Sequence, residues 1–254
     1  MATAPSEKTP KTGLNIYGCA AVNPYKLTIT AEELGVPYNY ISLDMGSGEH
    51  KSEWYTAINP NGRLPAIVHV KEDGTSVTVF ESGACLLYLA SEFDKEHKLS
   101  YPFATPEYWA QLSWLSWQIA GYGPIMAQAC YFNRYAHEQV PHGVWRYTSE
   151  SRRLNAVLDK QLSAHPFVAG DRLTIADISI FMFAISTRWC GVEINEFPHV
   201  KAWKDKLEQR PAFQKGLQTP MPYMFSDEAV MIKKATEEWK GEVPAVPSDH
   251  ANYL

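Results

Sequence analysis

Asn59-Pro-Asn-Gly-Arg-Leu-Pro-Ala66 and Phe80-Glu-Ser-Gly-Ala84 are two short polar passages on either side of an apolar hairpin pattern, and their reading decides the fold. Between them run Ala66-Ile-Val-His-Val70 and Ser76-Val-Thr-Val-Phe80, separated by a charged turn containing Asp73-Gly74. Asp-Gly between β-rich runs is a strong hairpin signal, because glycine accepts the left-handed backbone that tight turns need. Leu64-Pro65 stands where the first of these strands begins. A proline there forfeits a ladder hydrogen bond unless it opens the strand or follows a cis bond. A cis bond would turn the Leu64 backbone outward, free to pair with an extended, peptide-like ligand. The two passages are therefore expected to form the walls of a small-molecule site.

Upstream, Leu14-Asn-Ile-Tyr-Gly18 alternates as a strand, and Asn23-Pro24 opens a helical pattern with Leu27, Ala31 and Leu34 on one face. Asn23 reads as the N-cap and Pro24 as the first helical residue. Gly35 and Pro37 stop this helix, one by supplying a left-handed cap and the other by being unable to continue it. Tyr38-Asn-Tyr-Ile-Ser-Leu43 follows as a second alternating strand, which implies a right-handed β-α-β crossover. A polar loop from Gly46 to Glu53 passes into a short helix around Trp54. Beyond the hairpin, Ser82 reads as the cap of an apolar helix, Ala84-Cys-Leu-Leu-Tyr-Leu-Ala90. The order β-α-β-α-β-β-α over residues 14–94 is that of a thioredoxin-like α/β layer with helices on both faces of the sheet.

Residues 95–106 turn polar and carry Pro102 and Pro106, the composition of an interdomain linker. Residues 107–225 read as an all-α domain. Trp109, Leu112, Leu115 and Ile119 recur at helical spacing beside a second stripe of Trp114 and Trp117, a breadth of apolar surface that either core packing or a subunit interface would cover. Gly121-Tyr-Gly-Pro124 interrupts or kinks the pattern, which resumes from Ile125 to Tyr135 and from Val144 to Leu162. Leu173-Thr-Ile-Ala-Asp-Ile178 is the strongest helix start, with Thr174 and Asp177 as a capping box and Leu173 and Ile178 in the hydrophobic-staple positions. Loss of either box residue is expected to cost about 1 kcal/mol. One more helix lies between Phe197 and Phe213. Residues 226–254 form a C-terminal extension, charged from Asp227 to Trp239 and then rich in proline, either disordered or folded back over the site.

A formal net charge of −5, from 23 Lys and Arg against 28 Asp and Glu, argues against nucleic acid or an anionic membrane as partner. Cys19, Cys85, Cys130 and Cys190 lie far apart without a C-x-x-C pair, so neither a metal site nor a disulfide framework is expected. The first thirteen residues lack the apolar core of a secretion signal, and no apolar run is long enough to span a bilayer. The expectation is a cytoplasmic protein with a disordered tail over residues 1–13.

The chain resembles the cytosolic glutathione transferases from about Leu14 to Phe213. The two opening passages and the Thr174–Asp177 box carry the resemblance at their expected separations. Gly48-Glu-His-Lys-Ser52, Gly121-Tyr-Gly-Pro124, Tyr131-Phe-Asn133 and Arg146-Tyr147 look most like the fungal nitrogen-regulator-like subgroup and its bacterial disulfide-reductase relatives. The resemblance implies glutathione lying along the first domain, its cysteine paired to the backbone of Leu64 and its γ-glutamyl end held by Glu81 and Ser82. It implies that Arg63 and His50 serve the glycine end or the middle of the peptide. Arg146 would arrive from the helical domain, of the same or the other subunit of a homodimer.

Holding glutathione as thiolate at neutral pH means lowering a thiol pKa near 8.5 by about two units, or roughly 2.7 kcal/mol. The subgroup resembled here places a Thr and an Asn after the first strand. This chain keeps Asn23 and shows Ala21 at the Thr place. A hydrogen bond to a charged group contributes about 1.5–3 kcal/mol and a helix N-terminus about 0.3–1 kcal/mol. Asn23 is thus the expected catalytic residue, with Cys19 as an understudy. Tyr25, Trp117, Tyr122, Met126 and Tyr131 are the expected walls for an apolar electrophile. The resulting reading is a glutathione transferase. The alternatives are an isomerase acting by reversible thiol addition in secondary metabolism, a glutathione-dependent disulfide reductase, and a non-catalytic glutathione-binding regulator.

Overall fold

The computed structural model describes residues 3–224, so the extension at 226–254 lies outside the described residues. The first domain runs β1 (Gly13–Gly18), α1 (Val22–Leu34), β2 (Tyr38–Ser42), α2 (Glu53–Thr56), β3 (Ala66–Val70), β4 (Ser76–Phe80) and α3 (Ser82–Phe93). Strand order is β2-β1-β3-β4, with β1 parallel to β2 and antiparallel to β3, and β3 antiparallel to β4. This is the expected thioredoxin-like βαβαββα layer. Alternation along β1 sends Leu14 and Ile16 into the main core with α1 and α3. Tyr17 goes to a smaller cluster with Ile41, Leu43, Trp54 and Tyr55 on the α2 side.

Residues 3–12 do not behave as the expected disordered tail. Tyr17 Oη donates to the Lys8 carbonyl at 2.8 Å, Lys8 Nζ pairs with Glu49 at 3.3 Å, and the buried Asn15 exchanges two hydrogen bonds with the Lys11 backbone. The segment is fastened to the outer face of the sheet.

The second domain is all helical: α4 (Pro106–Trp117), α5 (Gly123–Cys130), α6 (Pro141–Ala164), α7 (Ile175–Ala184), α8 (Pro198–Glu208) and α9 (Pro211–Gly216). Gly121-Tyr-Gly-Pro124 is a widening, not a break. A π turn, Gln118–Tyr122, carries α4 into α5, and a second, Tyr131–Tyr135, follows α5. The wider turn accommodates the ring and the missing N–H of Pro124. No helix among the described residues is long and apolar enough to cross a membrane.

Every residue of α7 is buried, and its start is the capping box read from the sequence. Asp177 does more than cap. Its carboxylate accepts from Thr174 N and Oγ1, from Val168 N and from Trp203 Nε1, tying α7 to the preceding loop and to α8. The expected loss of about 1 kcal/mol on its removal is therefore too small, because three other buried donors would be stranded along with the cap.

Helix α1 is shared by both domains. Glu33 forms a two-pronged pair with Arg210 at 2.6 and 2.8 Å, and Thr28 Oγ1 donates to the Gly216 carbonyl at 2.9 Å. A Cβ on Gly216 would stand 2.7 Å from Ile29 Cα, so only glycine lets α9 approach α1 this closely. On the opposite side of the chain's apolar budget, Phe103 (76% exposed) and Trp109 (51% exposed) pack with Tyr108 into a surface aromatic patch.

Candidate functional site

Three side-chain bonds shape the loop before β3. Buried Asn59 accepts from Asn61 N at 3.0 Å and donates through Nδ2 to the Arg63 carbonyl at 2.6 Å, which also accepts from Tyr55 Oη at 2.8 Å. The Leu64–Pro65 bond is cis, and β3 begins one residue later. The N–H and C=O of Leu64 are left without hydrogen bonds among the described residues. The Arg63 side chain is exposed and makes no ion pair among them. His50 lies against the same loop, its carbonyl 3.0 Å from where a Gly62 Cβ would be. Its Nδ1 is buried with no hydrogen-bond partner among the described residues.

Helix α3 faces this loop with its N-terminus. Its N-cap is Glu81, not Ser82 as the sequence reading has it, and Glu81 holds φ 68° and ψ 122°, a strained backbone for a residue with a side chain. No side chain caps the helix, and the first internal bond runs from Cys85 N to the Glu81 carbonyl. The N–H groups of Ser82, Gly83 and Ala84 are therefore free to bind an anion. Glu81 is exposed beside them, touched by Asn61 Nδ2 at 3.4 Å, and its carboxylate suits an ammonium.

The start of α1 also differs from the reading. Ala21 is the N-cap and Asn23 the second helical residue, because the helix begins one residue before the Asn-Pro pair. The Asn23 side chain is half-buried and makes no hydrogen bond among the described residues. With Pro24 lacking an N–H, the unpaired donors of this terminus are Val22 N–H and Asn23 N–H. Cys19 fits a catalytic thiolate poorly, since burial pushes its thiol above 9.0. Tyr25 is no wall of an open pocket: it is fully buried, donates to the Met221 carbonyl at 2.8 Å and packs on Tyr223.

Lys26 is the functional candidate that the sequence reading missed. It lies three residues after Asn23, on the same face of α1, and is 1% exposed. Its Nζ donates to Gln118 Oε1 at 2.9 Å and reaches Ser82 Oγ at 3.4 Å, with the Phe183 ring 5.1 Å away. Gln118 Oε1 also accepts from Ser179. One amine thus joins α1, α3, the π turn and α7 directly behind the uncapped α3 N-terminus. Burial lowers it from 10.5 to about 7, against the opposing pull of Glu81. The signal in the sequence was the single charge in the otherwise uncharged run from Val22 to Ala31.

The helical wall is corrected as well. Tyr122 and Met126 are fully buried core residues, Tyr122 Oη donating to Asn155 at 2.9 Å. Trp117 is half-buried and stacks on Tyr122, and Tyr131 is 44% exposed on the second π turn. Ile119, not foreseen, is the residue that meets the site, its Cδ1 2.1 Å from where a Gly83 Cβ would be. Arg146 is exposed on α6, and its ion pair is with Glu150 at 4.0 Å. Helix α6 packs on α5 and α8, so within one protomer Arg146 is not brought to Ser82. No cluster of metal-ligating side chains exists among the described residues.

The glutathione S-transferase N-terminal domain family matches residues 23–92, and the C-terminal domain family matches residues 147–211. A glutathione S-transferase-like protein of Aspergillus fumigatus, tpcF, is 33% identical over 82% of this chain and 96% of its own. The disulfide-bond oxidoreductase YfcG of Escherichia coli is 34% identical over 80% and 94%. A crystal structure of a glutathione transferase homolog from Lodderomyces elongisporus, with two glutathione molecules per subunit, superposes with a TM-score of 0.79 at 36% identity, covering 83% of this chain and all of that one. The chain belongs to the glutathione transferase superfamily, related to its fungal Ure2-like and bacterial disulfide-reductase branches.

Proposed function

We propose that this chain is a glutathione transferase that binds glutathione between the Leu64 backbone and the α3 terminus and directs its thiol at an apolar electrophile. The observation that carries this reading is the set of unpaired donors at Ser82, Gly83 and Ala84 beside the unpaired backbone of Leu64. Ser82 Oγ and the three N–H groups suit the γ-glutamyl carboxylate, and Glu81 suits its ammonium. Arg63 serves the glycine carboxylate, and the buried, unpartnered Nδ1 of His50 supplies a further polar contact. Glutathione contributes the nucleophilic sulfur. The protein's part is to favour its thiolate with Asn23 and the open α1 terminus, and to hold it near the electrophile. Trp117, Ile119 and Tyr131 are the wall for that second substrate. A homodimer is part of the proposal, supported by the surface patch where exposed Phe103 and Trp109 pack around Tyr108.

Disulfide reduction by glutathione is the second reading. The relationship to bacterial proteins named disulfide-bond oxidoreductases favours it. Calorimetric titration with glutathione tests the site, and turnover with aryl halides, unsaturated carbonyl compounds and hydroxyethyl disulfide separates the reactions. Conjugation unchanged in Asn23→Ala would remove Asn23 from the mechanism. Absence of glutathione binding would remove the proposal.

A further inference from the structure

Cys130 and Cys190 lie 60 residues apart in sequence, and their Sγ atoms are 2.8 Å apart in the fold. That is within about 1 Å of a disulfide bond. Cys130 ends α5 and is partly exposed, while Cys190 ends the turn Thr187–Cys190 after α7 and is buried. The backbones on both sides are already clamped. Asn133 Nδ2 donates to the Ala129 carbonyl at 2.8 Å and to the Cys190 carbonyl at 3.3 Å. The Arg134 guanidinium, 6% exposed and held by the Trp189 carbonyl and ring, lies beside the pair, and its charge partly opposes the burial that raises the Cys190 thiol. Nothing in the proposed glutathione site uses these groups.

We infer that Cys130 and Cys190 form a second redox site on the helical domain, a dithiol that glutathione disulfide oxidises to an intramolecular disulfide. The partly exposed Cys130 meets the oxidant first, since burial holds the Cys190 thiol well above its ordinary range. Cys130 loses its proton to solvent and its thiolate attacks one sulfur of glutathione disulfide. That S–S bond breaks, and one glutathione leaves as thiolate and is protonated by solvent. Cys190 then attacks Cys130 Sγ, the mixed disulfide breaks, and the Cys190 proton ends on the second departing glutathione. Two protein thiols are oxidised and one glutathione disulfide is reduced to two glutathiones. The closed form ties α5 to the turn after α7, and the inference stands whether or not the α3 terminus binds glutathione.

The test is incubation of the full-length protein with glutathione disulfide, an acid quench, intact mass measurement and peptide mapping. The expected result is loss of two hydrogens, a cross-linked pair of peptides containing Cys130 and Cys190, and a melting temperature higher by roughly 5–15 °C. Reducing agent should reverse both changes. Cys190→Ser should stop at one glutathione attached to Cys130, and a Cys19→Ser, Cys85→Ser double variant should still cross-link. Four free thiols after incubation with glutathione disulfide, a stable adduct on Cys130 in the unmutated protein, or a cross-link through Cys19 or Cys85 would each overturn the inference. The unmutated protein alone decides between these outcomes, so a variant that fails to fold does not blunt the test.

Discussion

Lys26→Met removes one amine from the junction of the two domains and leaves a side chain of similar length. In the native protein burial lowers this amine from 10.5 to about 7. The unfolded chain therefore keeps its proton across the window from about pH 7 to 10.5 while the folded chain has released it. Stability rises with pH wherever the unfolded state binds more protons, so Lys26 makes the protein more stable as pH rises through this window. The largest slope is about 1.4 kcal/mol per pH unit for one proton. Between about pH 7 and 9, allowing for half-titration at the lower end, the gain is about 2 kcal/mol. Urea unfolding of both proteins at the two pH values, at one protein concentration, measures it. All other titrating groups are common to the pair, so the difference between their pH dependences isolates Lys26. The unmutated protein should gain about 2 kcal/mol more than Lys26→Met. Equal gains would refute the view that this lysine is neutralised by burial.

Glutathione binding should draw a proton onto Lys26, because a carboxylate at Ser82 stabilises the ammonium behind it; calorimetry near pH 8 in buffers of different ionisation enthalpy should show uptake that Lys26→Met abolishes. Ser82→Ala should weaken glutathione roughly 10- to 100-fold, the loss of a hydrogen bond to a charged group, and an unchanged dissociation constant would move the carboxylate elsewhere. Asp177→Ala should destabilise the protein by about 3–5 kcal/mol and Thr174→Ala by about 1 kcal/mol. Similar values for the two in urea unfolding would reduce Asp177 to a cap.

Much of the first domain was legible because its signals are local. The hairpin strands fall on the residues read for them, Ala66–Val70 and Ser76–Phe80, and the Leu64–Pro65 bond is cis. The Thr174–Asp177 box is a four-residue pattern whose hydrogen bonds close within one turn. The misreadings share a different cause. Helical spacing says that Tyr25, Tyr122 and Met126 are apolar positions on a face, and it is silent on whether that face meets a cleft or a neighbouring helix. All three are covered by neighbours. Helix caps shifted, by two residues in α1 and by one in α3, for a related reason. Glu81 takes the N-cap of α3 because the sheet and loop around it hold a positive φ that local preference alone would give to glycine.

The sequence by itself determined the family, the β-α-β and hairpin units of the first domain, and the two polar passages proposed to face a ligand, since each is written within a few turns of chain. Only the tertiary structure decided the electrostatics and the thiol chemistry. Lys26 became a neutralisable amine behind Ser82 when α3, the π turn and α7 closed around it. Cys130 met Cys190 across 60 residues when the turn after α7 packed on α5. Proximity and desolvation depend on which elements end up in contact, and contacts between distant segments exist only once the chain has folded.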